Sequence, residues 1–134
     1  MEKKSKSCAY CKLFRIFAAA KQNKEMEIYV RYLPEARNFL KEIDQDVKEK
    51  VIYNVKKVRM GVKDSNIFKK LDDTNIWEFR TKYNGNYYRL LSFWDKRTET
   101  IIVATHGFVK KSAKTPKKEI AKAEAIRKDY FENN

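Results

Sequence analysis

The sequence comprises 134 residues, of which 43% are hydrophobic and 37% charged, and its formal net charge at pH 7 is +13. This length suits one domain with a modest core, and the apolar content excludes a chain that is disordered by composition. The charge favours polyanionic partners, with nucleic acid ahead of an anionic membrane or an acidic protein, and no apolar run approaches the roughly 20 residues that span a bilayer.

The first 25 residues differ in composition from the rest of the chain. They carry seven cations against two acids, and their apolar residues follow neither a helical nor a strand period. We therefore predict a poorly ordered basic extension over residues 1–25 and a single folded domain over residues 26–134. Met26 opens the folded part and is a candidate natural start. The alternative is a basic arm that becomes ordered only on a partner.

Two weak motifs lie in this extension. Its basic start and apolar run imitate an export signal, but Lys12 and Arg15 interrupt the run, so we predict a cytoplasmic protein. Cys8 and Cys11 form a CxxC pair with no second pair of ligands, and the single histidine lies far along the chain. We therefore expect reduced thiols rather than a zinc site or a redox motif.

A strand and two amphipathic helices begin the predicted domain. The alternating segment EIYVRYL is typical of a strand, and Pro34 marks the change to a helical pattern. Apolar residues at helical spacing predict a first helix on Ala36, Phe39, Leu40 and Ile43 and a second on Val47, Val51, Val55 and Val58. Gly61 can end the second helix. Together they indicate a helical hairpin laid on a sheet.

Three strands and a last helix follow. NIWEFRTKY and NYYRLLSFW flank Asn84-Gly85, a dipeptide favoured in type I′ turns because both central residues need a positive φ. TETIIVATHGF supplies a further strand, and Thr115-Pro116 predicts a helix with Thr115 as N-cap. Glu119 falls one position late for a capping box. The predicted fold class is α+β, ordered β-α-α-β-β-β-α, with a small antiparallel sheet packed against two N-terminal helices and a C-terminal helix.

The two-residue turn also fixes the register of the hairpin. Counted outward from it, Lys82 lies opposite Tyr87 and Arg80 lies opposite Arg89. One face of the hairpin is apolar enough to receive helices, whereas the other carries Glu78 with these cations. Two arginines that face each other across a sheet should repel and destabilise it.

The arginine pair admits two interpretations. In the first, Glu78 pairs diagonally with Arg89 and the other arginine is solvated. In the second, Arg80 and Arg89 form a phosphate site with Lys82 nearby, because a guanidinium grips phosphate oxygens with two parallel hydrogen bonds and stays charged. Tyr87 on the same face could then stack on a base.

The only histidine, His106, ends the last predicted strand. A lone histidine at a strand end is more often structural than catalytic. Here it precedes Gly107, which permits close backbone approach, and Phe108, a candidate stacking platform. Five lysines follow within a dozen positions: Lys110, Lys111, Lys114, Lys117 and Lys118. The last two open the predicted helix, where cations oppose the helix dipole, so helix stability does not explain them.

The chemistry available to such a chain is narrow. It has no Ser-His-Asp set, no paired carboxylates at a catalytic spacing, no metal-ligand cluster and no Gly-rich phosphate loop. RNA cleavage fits this inventory because RNA supplies its own nucleophile, the 2′-OH. The protein then needs only to align that group, move protons and stabilise the charged phosphorane, without a metal or cofactor.

The motifs IWEFR, YYRLLSFW and HGFVKKSAKTPKKEIAKA together resemble the RelE/ParE toxin superfamily, in its HigB-type, phage-derived branch. The resemblance covers residues from Met26 onward, and HGFVKKSAKTP is its most specific part. It implies the toxin of a type II toxin–antitoxin system, a ribosome-dependent mRNA endoribonuclease that inhibits translation. Its implied partners are mRNA, the rRNA of the ribosome and a helix-turn-helix antitoxin. Ser112 departs from the usual pattern.

The resemblance also implies roles for individual residues. Arg80 and Arg89 would contact the scissile phosphate, and His106 would transfer a proton. The implied RNA-binding residues are Lys82, Tyr87, Phe108, Lys110, Lys111 and Lys114. Two other classes stay open: a ParE-like protein that binds DNA gyrase without catalysis, and a basic nucleic-acid-binding module for which the net charge alone would suffice.

Overall fold

The computed structural model describes residues 27–112 and 114–133. The predicted extension over residues 1–25, with Cys8, Cys11 and the candidate start Met26, lies outside them. Among the described residues there are five strands and three helices: β1 (Tyr29–Tyr32), α1 (Pro34–Glu42), α2 (Gln45–Arg59), β2 (Phe68–Lys70), β3 (Trp77–Tyr83), β4 (Asn86–Trp94), β5 (Ile101–Lys110) and α3 (Lys117–Asn133). No helix in this part of the chain is long and apolar enough to cross a membrane.

The five strands form one sheet in the order β1-β5-β4-β3-β2. The meander β2-β3-β4-β5 is antiparallel, but β1 pairs in parallel with β5, so the sheet is mixed rather than wholly antiparallel. The reason is topological: the chain crosses one face in α1 and α2 after β1, and β5 returns beside β1 in the same direction. The short edge strand β2 was not predicted, because three residues carry too little periodicity to detect.

The predicted hairpin register is confirmed. Tyr83 pairs with Asn86, Thr81 with Tyr88, and Arg80 with Arg89. Asn84 and Gly85 adopt φ values of 49° and 79°, as the predicted turn requires. One apolar face of the sheet packs on α1 and α2, and the buried residues of that core include Phe39, Val51, Val55, Phe79 and Leu90.

Helix α3 covers the opposite face of the sheet. Ala123 and Tyr130 are its buried residues, and they pack with Leu91, Phe93 and Val103 of the central strands. The helix begins at Lys117, and the carbonyl of Pro116 accepts the backbone N–H of Ile120 at 3.3 Å. The predicted N-cap is not seen: among the described residues the Thr115 side chain makes no hydrogen bond to the helix N-terminus, and its hydroxyl donates to Glu78 on β3. The residue expected to start the helix therefore ties its N-terminal end to the sheet.

Candidate functional site

The sheet places the predicted site residues on the face that α3 partly covers. Successive side chains of a strand alternate between faces, so directly paired residues at alternate positions share one face. The pairing across β3, β4 and β5 gives three rows: Glu78, Leu91 and His106; Arg80, Arg89 and Phe108; Lys82, Tyr87 and Lys110. The two arginines, the histidine and four of the predicted RNA-binding residues are thus brought together on one side of the sheet.

Glu78 lies between the two arginines. Its Oε1 is 3.4 Å from Arg89 Nε, and its Oε2 is 3.4 Å from Arg80 Nε. The side chains of Glu78 and Arg89 are 3% and 2% exposed, whereas that of Arg80 is 23% exposed. Arg80 also donates from Nη1 to the carbonyl of Ser65 at 3.2 Å. The diagonal Glu78–Arg89 pair is therefore present, and the carboxylate contacts both guanidinium groups instead of leaving one solvated.

Lys110 adds a third cation to this group. Its Nζ is buried and has no hydrogen-bond partner among the described residues. Burial lowers the pKa of Lys110, and the nearby charge of Arg89 lowers it further, while Glu78 opposes the change. Burial likewise lowers the pKa of Arg89, with Glu78 acting in the opposite direction. Two arginines thus contact one carboxylate, and the buried ammonium of Lys110 lies on the same face of the sheet, an arrangement that favours an additional anion.

The aromatic residues of the site contact protein groups. Lys82 Nζ lies 5.5 Å and Arg89 Cζ 5.4 Å from the centroid of the Tyr87 ring, within the range of cation–π contacts. The Phe108 ring lies 6.2 Å from that of His106 and packs against the core under α3. The expectation that these rings stack on bases stays a prediction.

His106 is buried, and both of its ring nitrogens have neighbours. Nε2 is 3.0 Å from Oε1 of Glu119 on α3, and Nδ1 is 2.9 Å from the hydroxyl of Thr105. Because a carboxylate can only accept, the Nε2 proton donates to Glu119. Burial lowers the pKa of His106, and the hydrogen bond that Nε2 donates to Glu119 opposes this shift. The ring therefore connects α3 to the sheet, and its predicted part in proton transfer stays a prediction.

A β-bulge sets the orientation of this histidine. Leu91 pairs with His106 but Ser92 pairs with Ala104, so Thr105 is an extra residue on β5. The Thr105 hydroxyl also lies 3.2 Å from the carbonyl of Leu91, which competes with Nδ1 of His106 for its one proton. Bulges next to functional sites often redirect a side chain. Strand periodicity alone does not reveal such an insertion.

Sequence reasoning missed several residues that hold the site. Thr115 donates to Glu78 Oε1 at 2.6 Å. Asn54, buried among the valines of α2, donates to Thr81 Oγ1 at 3.0 Å and lies 3.4 Å from the carbonyl of Arg80. The signals were a polar residue within an apolar helical stripe for Asn54 and an acid one position late for a capping box for Glu119.

The other lysines singled out in the sequence form an exposed border beside the buried cluster. Lys111, Lys114, Lys117 and Lys118 are exposed, as is Lys82 on β3. Apart from Lys82, these lysines lie on the segment that joins β5 to α3 and on the first turn of α3. Within the described residues no group of His, Cys, Asp and Glu side chains could hold a metal ion. The site thus consists of a buried cationic cluster next to solvated cations.

Comparisons with known proteins bear on the family and the fold. The family model described as phage derived protein Gp49-like (DUF891) matches residues 38–128, whereas no curated protein matches the sequence. An arginine-substituted variant of the E. coli toxin RelE in its free state is similar with a TM-score of 0.55 at 14% identity, over 76% of this chain and 98% of that chain. The toxin–antitoxin complex RelBE2 from Mycobacterium tuberculosis gives a TM-score of 0.45 at 19% identity, over 67% of this chain and 99% of that chain. The predicted RelE-like α+β fold is confirmed by the first of these likenesses.

Proposed function

The chain belongs to the phage-derived Gp49-like family, and on that premise we propose that it is the toxin of a type II toxin–antitoxin system. Its activity would be that of a metal-independent endoribonuclease that cuts mRNA on the ribosome and so inhibits translation in the cytoplasm. The observation that carries this proposal is the contact of Arg80 and Arg89 with the single carboxylate of Glu78, with Lys110 on the same sheet face.

These cations suit the chemistry of RNA cleavage by the 2′-OH. Attack on the phosphate develops extra negative charge on its oxygens, and fixed cations in a poorly hydrated site stabilise that charge more strongly than they would in water. Of the two arginines, Arg80 is the more accessible to RNA, since its side chain is 23% exposed and that of Arg89 is 2% exposed. The exposed Lys82, Lys111 and Lys114 would hold the RNA backbone on either side.

The likeness to a toxin named RelE supports the fold that this function needs. We further propose, from the resemblance of the sequence motifs, that the protein is held inactive by a cognate helix-turn-helix antitoxin and acts on mRNA bound to ribosomes. The position of His106 supports a part in holding α3 to the sheet, and its transfer of a proton would require Nε2 to leave Glu119.

The test is controlled expression of the protein and of Arg80→Ala, followed by mapping of new 5′ ends on cellular mRNA. Removal of one well-placed charged donor should lower the cleavage rate about 100-fold or more. Lys128→Ala, which removes an exposed cation from α3, is the matched control and should cleave as the wild type does. Thermal unfolding of each variant checks that the fold persists.

The outcomes separate the proposed classes of function. New in-frame ends that require Arg80 support the ribonuclease. Growth arrest without new ends, accompanied by loss of DNA supercoiling, would instead establish a gyrase inhibitor. Binding of RNA without either effect would leave only a basic nucleic-acid-binding module.

A further inference from the structure

Glu78 is an unexpected residue at the centre of a proposed phosphate site. Its carboxylate is buried between Arg80 and Arg89, and a fixed negative charge there should repel an RNA phosphate. Its presence needs a physical reason. The distances around it suggest one.

The carboxylate is bound loosely by the arginines and tightly by a hydroxyl. Both Nε–O distances to the guanidinium groups are 3.4 Å, longer than the about 2.7–2.9 Å of charge-assisted hydrogen bonds. The hydroxyl of Thr115, by contrast, donates to Glu78 Oε1 at 2.6 Å. The hydrogen bonds from the arginines to Glu78 are therefore weaker than those that a well-oriented anion would receive from them.

The cluster also carries an excess of positive charge. Arg80, Arg89 and Lys110 contribute three positive charges, and Glu78 contributes one negative charge. Lys110 Nζ is buried without a hydrogen-bond partner in the described chain, so an acceptor is missing at that point. A phosphodiester brings one negative charge and two free oxygens, which could meet a guanidinium and this ammonium together.

We propose that Glu78 is an internal counter-anion that occupies the arginines when RNA is absent and gives way to a phosphate of the RNA when it binds. Thr115 keeps the carboxylate beside the site, so that Glu78 reduces the affinity of the arginines for anions without leaving them unpaired in the free protein. This inference rests on the proposed function for the identity of the ligand, but it concerns binding and not cleavage.

The consequence is that removing the charge of Glu78 should strengthen RNA binding. The probe is a fluorescein-labelled 2′-O-methyl RNA oligonucleotide, in which the attacking hydroxyl is blocked so that binding is measured without cleavage. Glu78→Gln should bind it about tenfold more tightly, the change expected when a competing charged hydrogen-bond acceptor is lost. The slope of log K against log salt should steepen by about 0.7, the value for one further cation–phosphate contact on a single strand.

Two further variants make the experiment decisive. Glu99→Gln removes an exposed carboxylate in the β4–β5 loop and controls for net charge, so its affinity should stay that of the wild type. Thr115→Val keeps the charge of Glu78 but removes the hydroxyl that retains it, and we expect a smaller gain in affinity. This variant also tests the inference should Glu78→Gln fail to fold.

The inference and the proposed function fail in different ways. Unchanged or weaker binding by folded Glu78→Gln or Thr115→Val would show that Glu78 only supports the fold, and it would overturn the inference. Absence of RNA binding in all variants would overturn it as well. Tighter binding by a protein that cuts no mRNA would support the inference and refute only the ribonuclease.

Discussion

Gly107 lies between two residues of the site, yet the structure gives it a packing role on the opposite face. A Cβ atom placed on Gly107 would overlap the ring of Phe39 on α1. The backbone of Gly107 is not in the left-handed region, so alanine there carries no conformational strain. The consequence of Gly107→Ala should therefore come from this single overlap.

The expected cost combines two opposing effects. Replacing glycine by alanine where the backbone permits it stabilises a protein by about 0.4–1 kcal/mol through the unfolded state. Overpacking a core costs about 1–3 kcal/mol. Because Phe39 is buried in the core under α1 and α2, the overlap should dominate. We expect Gly107→Ala to lower the free energy of unfolding by about 1–2 kcal/mol.

Urea unfolding of a double-mutant cycle measures this effect. Phe39→Ala alone should cost about 3–5 kcal/mol, and it removes all the ring atoms nearest to Gly107. In that background Gly107→Ala should be neutral or stabilising, which gives a coupling energy of about 1–2 kcal/mol. RNA binding by the double variant should match that of Phe39→Ala, because the added methyl points to the face opposite Arg89. A Gly107→Ala protein more stable than the wild type would refute the reasoning.

Three further predictions concern buried polar residues that join elements of the fold. Burial lowers the pKa of His106, so the neutral ring contributes stability above about pH 6.5 that is lost as the pH falls through the lowered pKa. Between about pH 7 and pH 5, the free energy of unfolding in urea should therefore fall less for His106→Gln than for the wild type. An equal fall in both proteins would contradict this. Tyr130 donates to Asp95 at 3.0 Å, so Tyr130→Phe should lower the free energy of unfolding in urea by about 1–3 kcal/mol. Unchanged stability would show that this hydrogen bond does not form in solution. Asn54→Leu should lower the free energy of unfolding by about 1–3 kcal/mol, because the Thr81 hydroxyl and the Arg80 carbonyl lose the amide donor of Asn54. Unchanged stability in urea would argue against these hydrogen bonds.

Local rules were sufficient to predict the central hairpin. An Asn-Gly turn has few conformations, and its length sets every pair outward to Tyr83 and Arg80. Since side chains alternate, the same turn also decided that Arg80, Arg89 and Glu78 would share a face. Helices α1 and α2 were predictable for a similar reason, because their apolar residues recur at helical spacing and fall on one face, which must be buried.

Features that depend on contacts between distant segments were not predictable. The bulge at Thr105 leaves the alternation of β5 almost unchanged in sequence but shifts its pairing by one residue. The pairing of Thr115 with Glu78 joins residues that are 37 positions apart, and local preference assigned the hydroxyl to a helix cap instead. The same holds for His106 and Glu119, whose contact depends on how α3 lies across the sheet.

The large net charge and the buried cluster would act at different stages of RNA binding. Exposed cations such as Lys111 and Lys114 attract a polyanion over a distance set by the Debye length, about 8 Å at physiological salt, and salt weakens this attraction. Exposed charge of this kind cannot select one phosphate, because it attracts every phosphate of the RNA equally. Arg80, Arg89 and Lys110 lie in a confined place with Glu78 already present, so an incoming phosphate must offer better-directed hydrogen bonds than a carboxylate held at 3.4 Å. Under this scheme the exposed lysines determine how fast RNA arrives, and the exchange with Glu78 determines which phosphate stays.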